Sequence, residues 1–161
     1  MQSTAKNEVG ADPLILLIED NADHAELIRR AIAQCGITTK VTHLADGEIA
    51  LDYLFGSAPL TVMPKLILLD INLPGVDGWQ VLQRLKSARY AQVPVVMLSS
   101  SSDPTDILLA AEFHANSFVT KPLQLQDYLS FAHNLITYWL RWNQVTPELM
   151  PATTTGHHPL G

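Results

Sequence analysis

Five short apolar runs recur along the chain, separated by longer segments of mixed polarity. Three of them are strongly apolar and span residues 14–18, 66–69 and 95–98. Two weaker runs span residues 40–44 and 117–120. Continuous runs of this length are typical of strands that are buried on both faces of a parallel sheet. The pattern therefore predicts five strands.

The segments between and after these runs carry apolar residues at helical spacing. The first four predicted helices begin after residues 21, 46, 78 and 103. Asp46 is placed to cap the second helix, and Asp103 to cap the fourth, with Pro104 at its first helical position. The fifth helix is predicted to be long, because its apolar positions continue through residues 125–140.

Strands that alternate with helices predict an α/β domain with a doubly wound parallel sheet. In such sheets the crossovers are right-handed, and ligands bind at the carboxyl ends of the strands near a switch in strand order. We assign this domain to residues 13–143. Residues 1–12 are expected to form a flexible N-terminus, and residues 144–161 a C-terminal tail that is too short for an effector domain.

Composition narrows the classes of function. A chain of 161 residues with a net charge of −6 suits one domain and is a poor match for the phosphate backbone of nucleic acid. No run of 18 apolar residues is present that would span a membrane. The single cysteine, Cys35, favours the cytoplasm, and we expect it to be a small packed side chain. The six histidines lack metal-ligand spacing, so we expect surface or core roles for them.

Polar side chains follow four of the predicted strands at the points where the strands end. They are Glu19 and Asp20 after the first strand, Asp70 after the third, Ser99 after the fourth and Lys121 after the fifth. Because the carboxyl ends of parallel strands meet at one edge of the sheet, we expect these groups to converge. Clustered carboxylates repel one another, and a divalent cation removes that repulsion. The sequence therefore predicts a magnesium site at this edge.

The expected chemistry assigns a role to each group. The expected ligands of Mg²⁺ are Asp20 and Asp70, Glu19 either directly or through water, and the backbone carbonyl of Asn72. Asp70 is the expected nucleophile toward phosphorus. Lys121 would spread the charge that develops on the phosphoryl oxygens, and Ser99 would donate its hydroxyl to one of them.

Four segments, in order, carry a family signature. They are Ile18-Glu19-Asp20-Asn21, Leu69-Asp70-Ile71-Asn72-Leu73-Pro74-Gly75-Val76-Asp77-Gly78, Pro94-Val95-Val96-Met97-Leu98-Ser99 and Phe118-Val119-Thr120-Lys121-Pro122. With these segments, residues 13–143 resemble the receiver domain of two-component response regulators. That resemblance implies a flavodoxin-like (βα)5 sheet with strand order 2-1-3-4-5. It also implies a signalling protein that receives a phosphoryl group from a histidine kinase, with no steady enzymatic turnover.

The same resemblance implies residue roles. Asp70 would be the phosphoacceptor and Lys121 the lysine before a cis-type proline turn. Ser99 would be the switch hydroxyl and Phe118 the aromatic switch. Because Phe118 lacks a phenol hydroxyl, any output step that needs a tyrosine hydrogen bond at that position is in doubt.

A narrower likeness concerns the partner. The segments Ala45-Asp46-Gly47-Glu48, Leu51-Asp52-Tyr53-Leu54-Phe55, Tyr138-Trp139-Leu140 and Val145-Thr146-Pro147 are similar to small regulators that partner phytochrome histidine kinases. The likeness implies a phytochrome-type kinase as phosphoryl donor and a homodimer through the last strand and helix. The expected interface residues are Phe118, Tyr138, Trp139 and Trp142.

Several of these residues also have a purely structural interpretation. Glu19 and Asp20 could cap the first helix and favour its positive end. Lys121 could be a solvated lysine, and Phe118 could be plain core. The aromatic residues of the last helix could likewise be core rather than a partner surface.

Two other functions compete with the signalling one. A Mg²⁺-dependent phosphatase with an aspartate nucleophile needs a second acid to protonate the leaving group, commonly two residues after the nucleophile. That position holds Asn72, which argues against turnover. A docking scaffold that no longer accepts phosphate is the other alternative. Every chemical group of the predicted site is present, so the sequence does not favour this scaffold.

Overall fold

Five strands form one parallel sheet in the computed structural model, which describes residues 12–58 and 60–144. The strands are β1 (Leu14–Ile18), β2 (Lys40–Leu44), β3 (Pro64–Asp70), β4 (Val95–Ser99) and β5 (Ser117–Thr120). Their order in the sheet is β2-β1-β3-β4-β5, and each neighbouring pair is parallel. The predicted fold and strand order are therefore confirmed.

Within the described residues, five α-helices connect and follow the strands. They are α1 (Ala22–Gln34), α2 (Gly47–Phe55), α3 (Gly78–Lys86), α4 (Pro104–Glu112) and α5 (Leu125–Thr137). The predicted caps are confirmed, since the side chains of Asp46 and Asp103 accept from the amides of Ile49 and Thr105. Asn21 caps α1 by accepting from two amides of its first turn.

Apolar side chains fill a layer on each face of the sheet. Successive strand residues point to opposite faces, so Leu16 and Ile18 pack with α2, α3 and α4, whereas Ile15 and Leu17 pack with α1 and α5. All five residues of β1 are buried. This double burial explains why the strands appear in the sequence as uninterrupted apolar runs.

The last predicted helix changes its geometry near its end. A π-helical turn (Tyr138–Trp142) follows α5, and the amide of Asn143 donates to the carbonyl of Tyr138 at 2.8 Å. The prediction of one regular helix through residue 140 is therefore wrong for this last stretch. The wider turn leaves Tyr138 and Trp142 53% and 68% exposed.

The remaining aromatic residues of the expected interface are less exposed. Trp139 is half-buried against the layer that contains α1 and α5. Phe118 is half-buried against the opposite layer. Cys35 caps the end of α1 and is half-buried, with its thiol donating to the carbonyl of Ala31 at 3.1 Å, as expected for a packed side chain.

Two further expectations concern the peptide bond before Pro122 and helices that could cross a membrane. The described residues contain no cis peptide bond, so the cis-type turn expected at Pro122 is not found and that bond has the intrinsically favoured trans form. Within residues 12–58 and 60–144, no helix has both the length and the hydropathy for crossing a membrane. The expected flexible N-terminus and C-terminal tail lie almost entirely outside the described residues.

Gly78 is predicted to be intolerant of a side chain, because α3 begins directly against the end of β3. A Cβ at Gly78 would lie 2.2 Å from the carbonyl oxygen of Asp70 and 2.7 Å from the Cα of Ile71. We expect Gly78→Ala to lower the free energy of unfolding by about 3 kcal/mol, which urea denaturation would measure.

Gly36→Ala is the control for Gly78→Ala. Gly36 has a φ of +66°, and a Cβ there meets nothing within 4 Å, so the variant should lose only the backbone preference of about 1 kcal/mol. Equal losses in the two variants would contradict the close approach as the cause.

Candidate functional site

Glu19 lies immediately after β1 and is held in place by the end of β2. Its amide donates to the carbonyl of Leu44 at 3.1 Å, and the Nε2 of His43 donates to its carbonyl at 2.7 Å. Its carboxylate is 0% exposed, and Oε1 accepts from the amide of Asn21 at 3.1 Å. The edge strand β2 therefore fixes the first acidic residue of the site.

Asp70 is the last residue of β3, the strand next to β1. Its carboxylate is buried, and Oδ1 accepts from the amide of Asn72 at 2.9 Å. The following amide, of Ile71, donates to the carbonyl of Leu98 at 3.1 Å. Asn72 was predicted to contribute its carbonyl to a metal, whereas the group that ties it to the site in the structure is its amide.

Lys121 follows β5 and joins the two buried carboxylates. Its Nζ donates to Glu19 Oε2 and to Asp70 Oδ2, each at 2.5 Å, and the side chain is 4% exposed. Its amide donates to the carbonyl of Ser99 at 2.7 Å. The interpretation of Lys121 as a solvated lysine is therefore wrong.

Three carboxylates form a cluster that fits a divalent cation. Glu19, Asp20 and Asp70 each offer an oxygen, and these oxygens lie within 4.8 Å of one another. Asp20 is exposed, whereas the other two are buried, so the cluster opens to solvent on the Asp20 side. Hard oxygen ligands with one open side suit an ion that keeps several waters, as Mg²⁺ and Mn²⁺ do.

The pKa of Glu19 reflects its burial and the closeness of these carboxylates. Burial first, and then the neighbouring Asp70 carboxylate, raise the pKa of Glu19 from 4.5 to about 7, although Lys121 acts in the opposite direction. A cation at the cluster would remove the repulsion between the carboxylates. The donor set is therefore complementary to a positive ion.

Ser99 and Phe118 are each connected to Lys121 through the backbone. Ser99 ends β4 and is buried, and its hydroxyl oxygen accepts from the amide of Ser101 at 3.0 Å. Phe118 lies on β5 in register with Met97 of β4, on the strand that leads to Lys121. The structure thus connects Ser99 to Lys121 through the backbone and Phe118 to Lys121 through a short strand.

The sequence did not predict the contact of His24 with Lys121 or its stacking on Tyr128. His24 was assigned to a surface or core role, but its Nδ1 lies 3.3 Å from Lys121 Nζ, and its ring stacks on Tyr128 with centroids 4.9 Å apart. Burial and then the charge of Lys121 lower the pKa of His24. The available signal was the helical position of His24, in the first turn after the acidic pair.

Known proteins show the same domain. A family model for the response regulator receiver domain matches residues 15–132. The probable methanogenesis regulatory protein FilR2 of Methanothrix harundinacea is 42% identical over 83% of this chain and 88% of its own length. The response regulator Rcp1 of Synechocystis is 31% identical over 83% of this chain and 93% of its own length.

Solved structures agree with these sequence matches. The Mn²⁺-bound form of Rcp1 matches with a TM-score of 0.76 and 30% identity over 83% of this chain and 99% of that one. The phosphorylated cyanobacterial phytochrome response regulator RcpA matches with a TM-score of 0.79 and 33% identity, over 84% of this chain and 99% of that one. The protein therefore belongs to the response regulator receiver domain family.

Proposed function

We propose that this receiver domain accepts a phosphoryl group from a histidine kinase on Asp70 and transmits the change through protein contact. The observation that carries the proposal is the buried ammonium of Lys121, which bridges Glu19 and Asp70 at 2.5 Å. A buried lysine between two carboxylates at the ends of three strands is a positive group fixed beside a candidate nucleophile. The solved structure of the relative RcpA is of its phosphorylated form, which supports phosphoryl acceptance by this chain as well.

In the proposed reaction, a carboxylate oxygen of Asp70 attacks the phosphorus of a phosphohistidine. The new oxygen–phosphorus bond forms as the phosphorus–nitrogen bond breaks, and the leaving imidazole nitrogen keeps the electron pair. The Asn72 amide holds Oδ1 of Asp70, which orients the carboxylate. Lys121 stabilises charge on the phosphoryl oxygens, and Ser99 contributes its hydroxyl to one of them.

Mg²⁺ is the cofactor that we propose for the carboxylate cluster. Bound there, it would neutralise the carboxylates and the phosphoryl oxygens, as divalent ions do in phosphoryl transfer. Glu19, Asp20 and Asp70 would hold it, and the backbone carbonyl of Asn72 stays a proposed further ligand. The Mn²⁺-bound form of Rcp1 supports a cation of this class.

Output is proposed to begin at the new charge on Asp70. A phosphoryl group adds a charge of about −1.5 to −2 and three strong acceptor oxygens. Ser99 turns toward them and Phe118 follows, so that the surface formed by α4, β5 and α5 shifts to a second population. The short strand between Phe118 and Lys121 supports this route.

The phosphoryl donor is proposed to be a phytochrome-type kinase. RcpA is a phytochrome response regulator, and two further structural matches concern red-light signalling and a bacteriophytochrome response regulator, at 26% and 34% identity. FilR2 is named as a probable methanogenesis regulatory protein, which favours a different input. Transfer of the phosphoryl group from a purified phytochrome kinase to this chain would distinguish the two inputs.

Association is proposed to occur through the last strand and the last helix. Tyr138 and Trp142 expose most of their rings on the π-helical turn, and Leu125 at the start of α5 is also exposed. Two exposed aromatic side chains on one turn favour a protein interface. Trp139 and Phe118 are half-buried and would contribute only their exposed edges.

Asp70→Asn tests the acceptor. With Mg²⁺ and a radiolabelled small-molecule phosphoryl donor, the wild-type chain should take up one phosphoryl group, released by hydroxylamine, and the variant should show background labelling. Asp46→Asn is the matched control, because asparagine caps a helix as well as aspartate does. Many turnovers of the donor would support the phosphatase instead, and an unlabelled wild-type chain would support the scaffold.

The affinity for Mg²⁺ should depend on pH. Because Glu19 in the metal-free protein has a pKa of about 7, it carries a proton in mildly acidic solution that Mg²⁺ must displace. Binding should therefore weaken roughly tenfold from pH 8 to pH 6, as measured by calorimetry. Glu19→Gln should bind Mg²⁺ more weakly but with little change over that range. A wild-type affinity that is constant with pH would contradict this assignment.

Trp142→Ser tests the interface. The exposed indole of Trp142 would be buried in the proposed dimer. The dissociation constant of the variant dimer should therefore be roughly tenfold higher than that of the wild-type dimer. Sedimentation with and without beryllofluoride and Mg²⁺ would measure this. Ile49→Ser on α2 is the control, because Ile49 is 50% exposed on a different element. A wild-type monomer under both conditions, or equal effects of both changes, would refute the interface.

A further inference from the structure

His24 provides the neutral contact of the buried ammonium of Lys121. Its Nδ1 lies 3.3 Å from Lys121 Nζ, whereas the other two contacts of the ammonium are the carboxylates of Glu19 and Asp70. An ammonium group has three N–H donors and no acceptor, so the Nδ1 of His24 must accept from it. This contact requires the neutral imidazole with its proton on Nε2.

The backbone and the ring of His24 are held by separate contacts. His24 lies in the first turn of α1, where its amide donates to the side chain of Asn21 at 3.0 Å. The amide of Asn21 in turn donates to the carboxylate of Glu19 at 3.1 Å. The ring of His24 stacks on Tyr128 of α5, with centroids 4.9 Å apart and an interplanar angle of 22°. The start of α1 and the packing of α5 together place Nδ1 beside the ammonium.

The surroundings of His24 favour its neutral form. Burial first, and then the positive charge of Lys121, lower the pKa of His24. The nearby carboxylates of Asp70, Asp23 and Asp20 act in the opposite direction, but they do not reverse the shift. The lowered pKa keeps the imidazole unprotonated in neutral and mildly alkaline solution, so that Nδ1 is available as an acceptor.

The contact with His24 differs from the other two contacts of Lys121 in its relation to the proposed cation. Glu19 and Asp70 belong to the carboxylate cluster, so a bound Mg²⁺ would share both carboxylates with the ammonium. His24 does not belong to that cluster. The two N–H groups that now serve carboxylates would then become available to phosphoryl oxygens, whereas the N–H that serves His24 can stay as it is.

We propose that His24 is a positioning residue, whose Nδ1 holds the ammonium of Lys121 beside Asp70 both before and after phosphoryl transfer. His24 acts only through Lys121 and touches neither the phosphoryl group nor the cation. In the unloaded chain two carboxylates also hold the ammonium, but in the loaded chain they are shared with the cation. Loss of the His24 contact therefore costs more in the loaded chain. This inference rests on the proposed phosphoryl-acceptor function.

Two substitutions of His24 in the full chain separate its acceptor atom from its ring. His24→Phe keeps an aromatic ring that can stack on Tyr128 but has no acceptor. His24→Asn removes the ring but keeps an acceptor, because the amide oxygen is as many bonds from the backbone as Nδ1 is. His133→Phe is the matched control, since His133 on α5 has its Nδ1 3.5 Å from the thiol of Cys35 instead of the ammonium.

The probe is beryllofluoride with Mg²⁺, which imitates the phosphoryl group on an aspartate, and its affinity at pH 8 would be measured by fluorine NMR titration. His24→Phe should weaken this binding roughly tenfold, as for a lost hydrogen bond to a charged group. His24→Asn should restore most of the affinity, and His133→Phe should bind as the wild-type chain does. The affinity for Mg²⁺ alone, measured by calorimetry, should not fall in any of the three variants. A merely structural role of the ring would not produce this separation.

A second measurement reports the contact itself and needs no variant. Long-range ¹H–¹⁵N spectra of the wild-type chain at pH 8 should show His24 with its proton on Nε2 and with Nδ1 unprotonated. The same tautomer should persist when beryllofluoride and Mg²⁺ are bound. A protonated Nδ1 in either state would contradict the proposed hydrogen bond, because an ammonium cannot donate to it.

The remaining outcomes overturn the inference in distinguishable ways. Wild-type affinity for beryllofluoride in His24→Phe overturns the inference alone. Equal losses in His24→Phe and His24→Asn also overturn it, because the acceptor atom would then not matter. A fall in the affinity for Mg²⁺ alone would make His24 a ligand of the cation and not a positioning residue. A wild-type chain that does not bind the probe overturns the proposed function together with the inference.

Discussion

The ion contact between Lys121 and the carboxylates of Glu19 and Asp70 is the interaction on which the site depends. All three side chains are buried, so each charge relies on the others in place of water. Removing one partner from such a group leaves an uncompensated charge and costs about 3–5 kcal/mol in comparable buried pairs. The same contact therefore holds the ends of β1, β3 and β5 together and places an ammonium beside the candidate acceptor.

The sheet makes this contact possible by bringing distant parts of the chain together. β1 and β3 are neighbours at the point where the strand order reverses, and Asp70 ends β3 in register with Leu98 of β4. Gly78 lets α3 start directly against the backbone carbonyl of Asp70. The two apolar layers hold these strand ends rigidly, because packed interiors resist small displacements.

Most of the fold, and the charged part of the site, followed from local sequence features. Buried strands such as β1 are continuous apolar runs, caps such as Asp46 precede their helices, and parallel strands share one carboxyl edge. That rule alone brings Glu19, Asp70 and Lys121 to the same edge. The placement of these three residues was therefore predictable before any distance was known.

What the sequence did not predict depends on packing between separate elements. The contact of His24 with Tyr128 and Lys121 needs the packing of α1 against α5, and helical spacing does not specify which side chains meet across two helices. The π-helical turn arises where Trp139 packs inward while Tyr138 and Trp142 stay outside, which no single helical period describes. For Asn72, residue type gave no indication that its backbone amide would donate to the Asp70 carboxylate.

Under the proposed function, signalling follows from the fact that the three N–H donors of Lys121 already face acceptors. A phosphoryl group cannot simply be added to this site, because its oxygens compete with the acceptors that Lys121 now serves. The amide of Lys121 is bonded to the carbonyl of Ser99, so displacement of the lysine is felt at the end of β4 as well as along β5. Phe118 lies on β5, three residues before Lys121, and is half-buried against the apolar layer that contains α2, α3 and α4. The domain thus converts a local exchange of hydrogen bonds into a change at its surface.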